Sequence, residues 1–202
     1  MAQPIIDENI PSANQEGAAH SVATLYQAVP SKIFDACKQI KLVVFDVDGV
    51  FSDGSIYLGN NGEEYKAFNT KDGYGVKALK SCGIDVAVIT GRDSAIVKNR
   101  MSALGVKHLV QGREDKHTAL TDLLNQLKLE TSQVASMGDD MPDVGMYRLS
   151  AIKVAVNDAH PYVKQQANFI TTLGGGKGAV REFCDLLLQA HGKLNMQHGA
   201  SV

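Results

Sequence analysis

Six short apolar runs, most of them rich in Val, Ile and Ala, recur along the chain: "KLVVFD" at 41–46, "IDVAVIT" at 84–90, "KHLVQG" at 107–112, "QVASMG" at 133–138, "AIKVAV" at 151–156 and "NFITT" at 168–172. Between them lie stretches with helical spacing, at 76–81, 93–104, 116–127, 142–149 and 161–167, and further helices are expected at 31–39 and 179–190. Runs that are apolar throughout fit strands covered on both faces. Their alternation with helices predicts right-handed βαβ units, hence an α/β protein with a Rossmann-like, doubly wound parallel sheet. Gly83 and Gly105 stand where helices should end, and Asp93 where one should begin.

One segment breaks the alternation. "SIYLGNNGEEYKAFN" at 55–69 carries a turn signal, Asn60-Asn61-Gly62, between two strand-like runs, and predicts a small β-hairpin inserted after the first core strand. With 202 residues, 44% of them hydrophobic, the chain supports one sizeable core. A single domain is expected over 31–192, between a flexible lead-in at 1–30 and a flexible tail at 193–202. A net charge of −2 lacks the basic footprint that a nucleic-acid backbone requires, so nucleic acid is not an expected partner. No stretch approaches the roughly 18 consecutive apolar residues of a membrane span, and the N-terminus lacks a basic leader with an apolar core. No membrane association and a cytoplasmic location are expected. Cys37, Cys82 and Cys184 have neither disulfide nor zinc spacing and read as small buried hydrophobes.

In open α/β sheets, ligands bind beyond the carboxyl ends of the strands. The first strand is followed by Asp46 and Asp48, the second by Thr90-Gly91-Arg92, the third by "GREDK" with Lys116 opening a helix, and the fourth by "GDDMPD" with Asp139, Asp140 and Asp143. These types suit a phosphate ester. A carboxylate at Asp46 can attack phosphorus and split one slow hydrolysis into two steps. Like charges need a screening cation, and magnesium takes oxygen ligands such as Asp46, a backbone carbonyl near Asp48, and Asp139. Asp48 shares a face with Asp46 if the strand persists. If Gly49 turns the chain, Asp48 can instead rotate toward the leaving oxygen and move protons there. Thr90 and Lys116 would hold the phosphoryl oxygens.

Taken in order, "DVDGV", Thr90 in "VITGR", Lys116, and "GDD" followed by Asp143 resemble the four motifs of the haloacid dehalogenase (HAD) phosphatase superfamily, across 41 to about 185. Within it, "DVDGVFSDGSIYLGNNGEEYKAFNTKDGYG", "AHP" at 159–161 and "GGGKGAVRE" at 174–182 are similar to the branch that hydrolyses 3-deoxy-D-manno-octulosonate 8-phosphate, a precursor of lipopolysaccharide. The resemblance implies a HAD-like fold with a minimal cap, a sugar-acid phosphate as substrate, and a homotetramer in which the hairpin 55–69 of one subunit closes a neighbour's site. It implies Asp46 as nucleophile, Asp48 as acid/base and, through its carbonyl, a metal ligand, Asp139 as metal ligand with Asp140 beside it, and Thr90 and Lys116 as phosphate holders. Arg92, Thr70 and Lys71 are further substrate-binding candidates, Arg92 for a substrate carboxylate.

Several residues have plainer readings. Asp93, Asp115 and Asp158 suit helix caps, His117 and His160 caps or surface positions, Arg92 a surface salt bridge as readily as an anion, and Lys66 and Lys71 solvated charges by default, with anion binding the weaker reading. Tyr57, Tyr65 and Phe68 suit either an interface or packing beneath the hairpin. "GGGKG" lacks the Ser or Thr of a phosphate loop, which leaves Lys177 and Arg181 as minor substrate candidates. Competing functions are a phosphatase for nine-carbon sugar-acid phosphates, a phospho-accepting receiver domain, and a silent scaffold. A receiver carries its accepting Asp after the third strand, where this chain has "QGRED", and a scaffold would lack Asp46 or Asp48.

Overall fold

The computed structural model describes residues 20–196. In chain order its elements are β1 (Ser21–Ala23), β2 (Ala28–Pro30), α1 (Ser31–Cys37), β3 (Leu42–Phe45), β4 (Tyr57–Leu58), β5 (Glu64–Tyr65), α2 (Thr70–Ser81), β6 (Asp85–Ile89), α3 (Ala95–Ala103) and β7 (His108–Val110). They continue with α4 (Lys116–Leu127), β8 (Val134–Gly138), α5 (Val144–Tyr147), β9 (Ile152–Ala155), α6 (Pro161–Gln166), β10 (Phe169–Ile170) and α7 (Ala179–Ala190). The expected six strands form one sheet in the order β10-β9-β8-β3-β6-β7, with every pair parallel.

Side chains two apart on a strand share a face, and β3 uses both faces fully. Val43 and Phe45 enter the larger core, with Val86 and Val88 of β6 and residues of α2, α3 and α7, whereas Leu42 and Val44 join Ala87, Ile89 and the α4 residues Leu120, Leu123 and Leu124 on the opposite face. Helices cover both sides, as a doubly wound sheet requires. From β3 the chain winds outward through β6 and β7, then returns to place β8 on the other flank. Strand order therefore reverses at β3/β8, and the crevice lies at the carboxyl ends there.

Some boundaries differ from expectation. The lead-in expected over 1–30 is ordered from residue 20: β1 and β2 pair antiparallel, Gln27 donates to Glu182 at 3.2 Å and the Tyr26 hydroxyl to Asp185 at 3.1 Å. Residues 1–19 and the tail beyond 196 lie outside the described residues, and Lys193 is fastened by donating to the Cys82 carbonyl at 2.6 Å. Helix α2 starts six residues before the expected 76, because the Asn69 side chain accepts from the Lys71 amide at 2.9 Å. Gly73 and Gly75 weaken the sequence signal for this stretch. Helix α3 starts at Ala95 rather than 93; Ser94 holds the cap position, and Asp93 instead accepts from Gln111 at 3.1 Å. The expected helix at 142–149 divides into a 3-10 turn at Met141–Asp143 and the short α5. Asp115 and His160 cap α4 and α6 as expected, whereas Asp158 accepts from the Gly175 amide at 2.8 Å. Cys37 and Cys184 are buried, and no helix among the described residues is long and apolar enough to cross a membrane.

Glu182 of α7 is fully buried and fastens the loop that follows β10. It accepts from the Thr172 amide and hydroxyl at 2.9 Å and from the Leu173 amide at 3.0 Å. Glu182→Ala orphans those donors, at about 3 kcal/mol in total. A fall of roughly 6–12 °C in the thermal midpoint is expected. Calorimetry showing no shift would contradict this role.

Candidate active site

Strand β3 places Asp46 directly after Phe45, and the chain then turns sharply: the amides of Phe51 and Ser52 both donate to the Val47 carbonyl, at 2.9 and 3.1 Å. Gly49 sits at φ +85°, in the left-handed region that favours glycine, so of the two paths open to Asp48 the turn is the one taken. A second constraint acts at the same residue. A β-carbon on Gly49 would stand 2.0 Å from a carboxylate oxygen of Asp139, so a side chain there would displace that carboxylate from its present position.

A crevice of about 470 Å³ opens over these strand ends, of a size that suits a small molecule. It is lined by Asp46, Asp48, Thr90, Arg92, Lys116 and Asp139, with Gly54, Gly91, Glu114, Asp140, Pro142 and Asp143. Thr90 is buried at the end of β6, and its hydroxyl accepts weakly from the Arg92 amide at 3.4 Å. Lys116 opens α4 and reaches back, buried, to donate to Asp46 at 2.7 Å and to Asp143 at 2.6 Å. Asp143 turns its other oxygen to the amides of Asp139 and Asp140, at 2.9 and 3.2 Å.

One oxygen each of Asp46, Asp139 and Asp143 lie within 4.8 Å of one another. Burial first, and then the Asp143 charge, push Asp46 up to about 7 against the pull of Lys116. Burial, followed by Asp143, Asp46 and Asp140, pushes Asp139 up to about 8. Burial alone would depress Lys116, but Asp46 and Asp143 overrule it and hold the ammonium above its ordinary value. One ammonium does not balance three carboxylates in so dry a place, and among the described residues no group donates a hydrogen bond to the Asp139 carboxylate. This oxygen-only donor set fits a hard divalent cation such as magnesium.

Of the residues singled out from sequence, Thr70 and Lys71 do not join the crevice. Both are exposed on the first turn of α2, beyond the hairpin. Arg92 stands at the rim, half exposed, with its guanidinium 3.4 Å from Glu64. Arg181 is committed elsewhere: it donates to Asp185 at 2.8 Å and stacks over Tyr74 at 4.6 Å. Lys177 is exposed. Asp143, although present in the fourth motif, proves as central as Asp139, and its spacing four residues beyond was the available signal. Lys66, read as a solvated charge or an anion contact, instead donates to Asp48 and has its side chain fully covered. Pairing across the hairpin brings it there, which local sequence does not show.

The hairpin itself is small, pairing Tyr57 with Tyr65 and Leu58 with Glu64. Its outer surface is apolar and open: Ile56, Tyr57, Leu58 and Tyr65 are 43%, 52%, 74% and 61% exposed. Phe68 packs partly buried against the larger core.

Comparison with known proteins agrees with this geometry. Residues 108–178 match the family model described as haloacid dehalogenase-like hydrolase. The chain is 46% identical, over 92% of its own length and 98% of the relative's, to the 3-deoxy-D-manno-octulosonate 8-phosphate phosphatase of Escherichia coli K12. The crystal structure of the Yersinia pestis phosphatase of the same name superimposes with a TM-score of 0.89 at 44% identity, covering 92% of this chain and all of that one. The Moraxella catarrhalis phosphatase, solved with a magnesium ion, a phosphate ion and a KDO molecule, matches with a TM-score of 0.80 at 43% identity, over 82% of this chain and 95% of that one. These relatives rule out the receiver-domain reading, and the chain belongs to the 3-deoxy-D-manno-octulosonate 8-phosphate phosphatase family of haloacid dehalogenase-like hydrolases.

Proposed function

We propose that the crevice hydrolyses 3-deoxy-D-manno-octulosonate 8-phosphate to the free sugar acid and inorganic phosphate, by way of a phosphorylated Asp46, for lipopolysaccharide assembly. The observation that carries the reading is Asp46 itself. It stands at the end of the central strand, oriented by Lys116 and clustered with Asp139 and Asp143, in a chain of this family. In the first step an Asp46 oxygen bonds to phosphorus as the ester P–O bond breaks, and Asp48 gives a proton to the leaving sugar oxygen. In the second, Asp48 takes a proton from a water that attacks the same phosphorus, and the bond to Asp46 breaks. The Lys116 ammonium and the Thr90 hydroxyl donate to the phosphoryl oxygens as charge gathers on them.

When bound, magnesium supplies positive charge that offsets the carboxylates and the phosphate. Asp46, Asp139 and the main-chain carbonyl of Asp48 would hold it. Asp143, whose oxygens serve Lys116 and two amides, keeps those groups in place. Arg92 at the rim is assigned to the sugar carboxylate. A homotetramer is part of the same reading, supported by the apolar outer face of the hairpin. Thr70 and Lys71, outside their own crevice, are assigned to a neighbour's. Three free thiols suit a cytoplasmic location.

Phosphate release from a panel of sugar-acid phosphates, with and without magnesium, tests the reading. Preference for the eight-carbon 8-phosphate is expected, with activity lost on chelation and restored by magnesium. Preference for a nine-carbon substrate would move the assignment, and full turnover after chelation would defeat the metal role. A mass near the 21.7 kDa monomer by light scattering would defeat the tetramer.

A further inference from the structure

Each acid of the "DVD" motif has its own lysine. Asp46 is held by Lys116, which belongs to the family's motifs, and Asp48 by Lys66, which lies outside all four of them. Lys66 directly follows β5, and two residues before it on the same face stands Glu64, with Oε1 3.1 Å from the Lys66 Nζ and Oε2 3.4 Å from the Arg92 guanidinium. The hairpin therefore turns a charged edge toward the crevice while its tyrosines face outward. The Lys66 side chain is entirely covered, whereas Asp48 keeps 22% and Glu64 24% of their side-chain surface exposed. A covered lysine loses the hydration of its ammonium and much rotamer freedom, and here it is compensated by one carboxylate bond and one near contact.

We propose that Lys66 is a positioning residue for proton transfer: by occupying one oxygen of Asp48 it fixes that carboxyl group, and leaves the other oxygen to meet the departing sugar oxygen. The inference rests on the reading of Asp48 as acid/base. Asp48 sits in a turn rather than a regular strand, so its rotamer is not set by a ladder, and among the described residues Lys66 is the side chain that donates to it. The hairpin then has a task within its own subunit, separate from any contact with a neighbour.

Leaving-group dependence tests it. An alkyl sugar oxygen leaves only with a proton, whereas the nitrophenolate of p-nitrophenyl phosphate leaves without one. The ratio kcat/KM covers steps up to departure of the leaving group and excludes the later attack of water. Lys66→Met is expected to lose about 100-fold in kcat/KM on the sugar-acid phosphate and less than about 5-fold on p-nitrophenyl phosphate, the range of general acid catalysis. Lys66→Arg should recover most of the loss, and Lys66→Met combined with Asp48→Asn should be no slower on the sugar-acid phosphate than Asp48→Asn alone. Equal losses on both substrates, or additive losses in the double variant, would overturn the proposal and leave Lys66 as a prop for the hairpin. Asp48→Asn serves as the control on the premise. If it too slows both substrates equally in kcat/KM, the acid role of Asp48 and the positioning role of Lys66 fall together; if only Lys66→Met is flat, the positioning role alone falls.

Discussion

Asp46→Asn is expected to lower phosphate release by a factor of about 1000 or more without loosening the fold. The amide nitrogen that replaces the attacking oxygen has no lone pair free to form an acyl-phosphate. The fold should tolerate the change because Lys116, the group most exposed to orphaning, still has Asp143 at 2.6 Å. The substitution also removes one of three crowded negative charges, and Asp46 is held up at about 7 chiefly by burial. The thermal midpoint of the metal-free variant should therefore equal or exceed that of the parent. This pairing of outcomes separates chemistry from folding: a lost midpoint would mean that Asp46 is chiefly structural. Turnover above about one hundredth of the parent rate would mean that another group attacks phosphorus.

The second large effect comes from a residue that does not line the crevice. Gly175 lies in the loop between β10 and α7, and a β-carbon there would stand 1.8 Å from the Gly49 carbonyl oxygen and 2.5 Å from its carbon. Those are backbone atoms and cannot rotate away. The loop is also bonded to the turn that follows β3, since the Gly176 amide donates to the Val50 carbonyl at 2.9 Å. Asp158 pins it from the other side through the Gly175 amide. Gly175→Ala must therefore push the turn that carries Asp48 and abuts Asp139. Overpacking of this kind costs about 1–3 kcal/mol. A displacement near 1 Å in a reacting group costs about 100-fold in rate, which is the expected loss in kcat. A variant with the parent's kcat and midpoint would show that the loop does not brace the turn. The "GGGKG" stretch, which invites comparison with a phosphate loop, is explained by this close backbone approach.

The contrast between Asp46 and Gly175 shows what a reading of the chain alone can reach. Asp46, Thr90, Lys116 and Asp139 were legible because each stands at or just beyond the end of an apolar run, and a parallel sheet brings all such ends to one edge. Their gathering in one crevice follows from periodicity plus that single rule. Lys66 follows no such rule. It lies 18 residues beyond Asp48, and only the register of a two-residue hairpin brings the two together. Thr70 and Lys71 show the same limit from the other side: both were substrate-binding candidates, and the helix capped by Asn69 carries them to its exposed first turn, outside their own subunit's crevice.

By itself, then, the order of residues determined the sheet, its parallel sense and the chemistry at the strand ends, since burial of continuous apolar strands and short connections leaves few alternatives. Tertiary structure alone decided which lysine serves which aspartate, that residues 21–30 form a hairpin fastened to α7 by Gln27 and Tyr26, and that Gly175 must remain bare. The physical reason is range. Strand and helix patterns are written in neighbours two to four positions apart, whereas ion pairs and backbone contacts between distant segments depend on where whole elements come to rest, and no local periodicity encodes them.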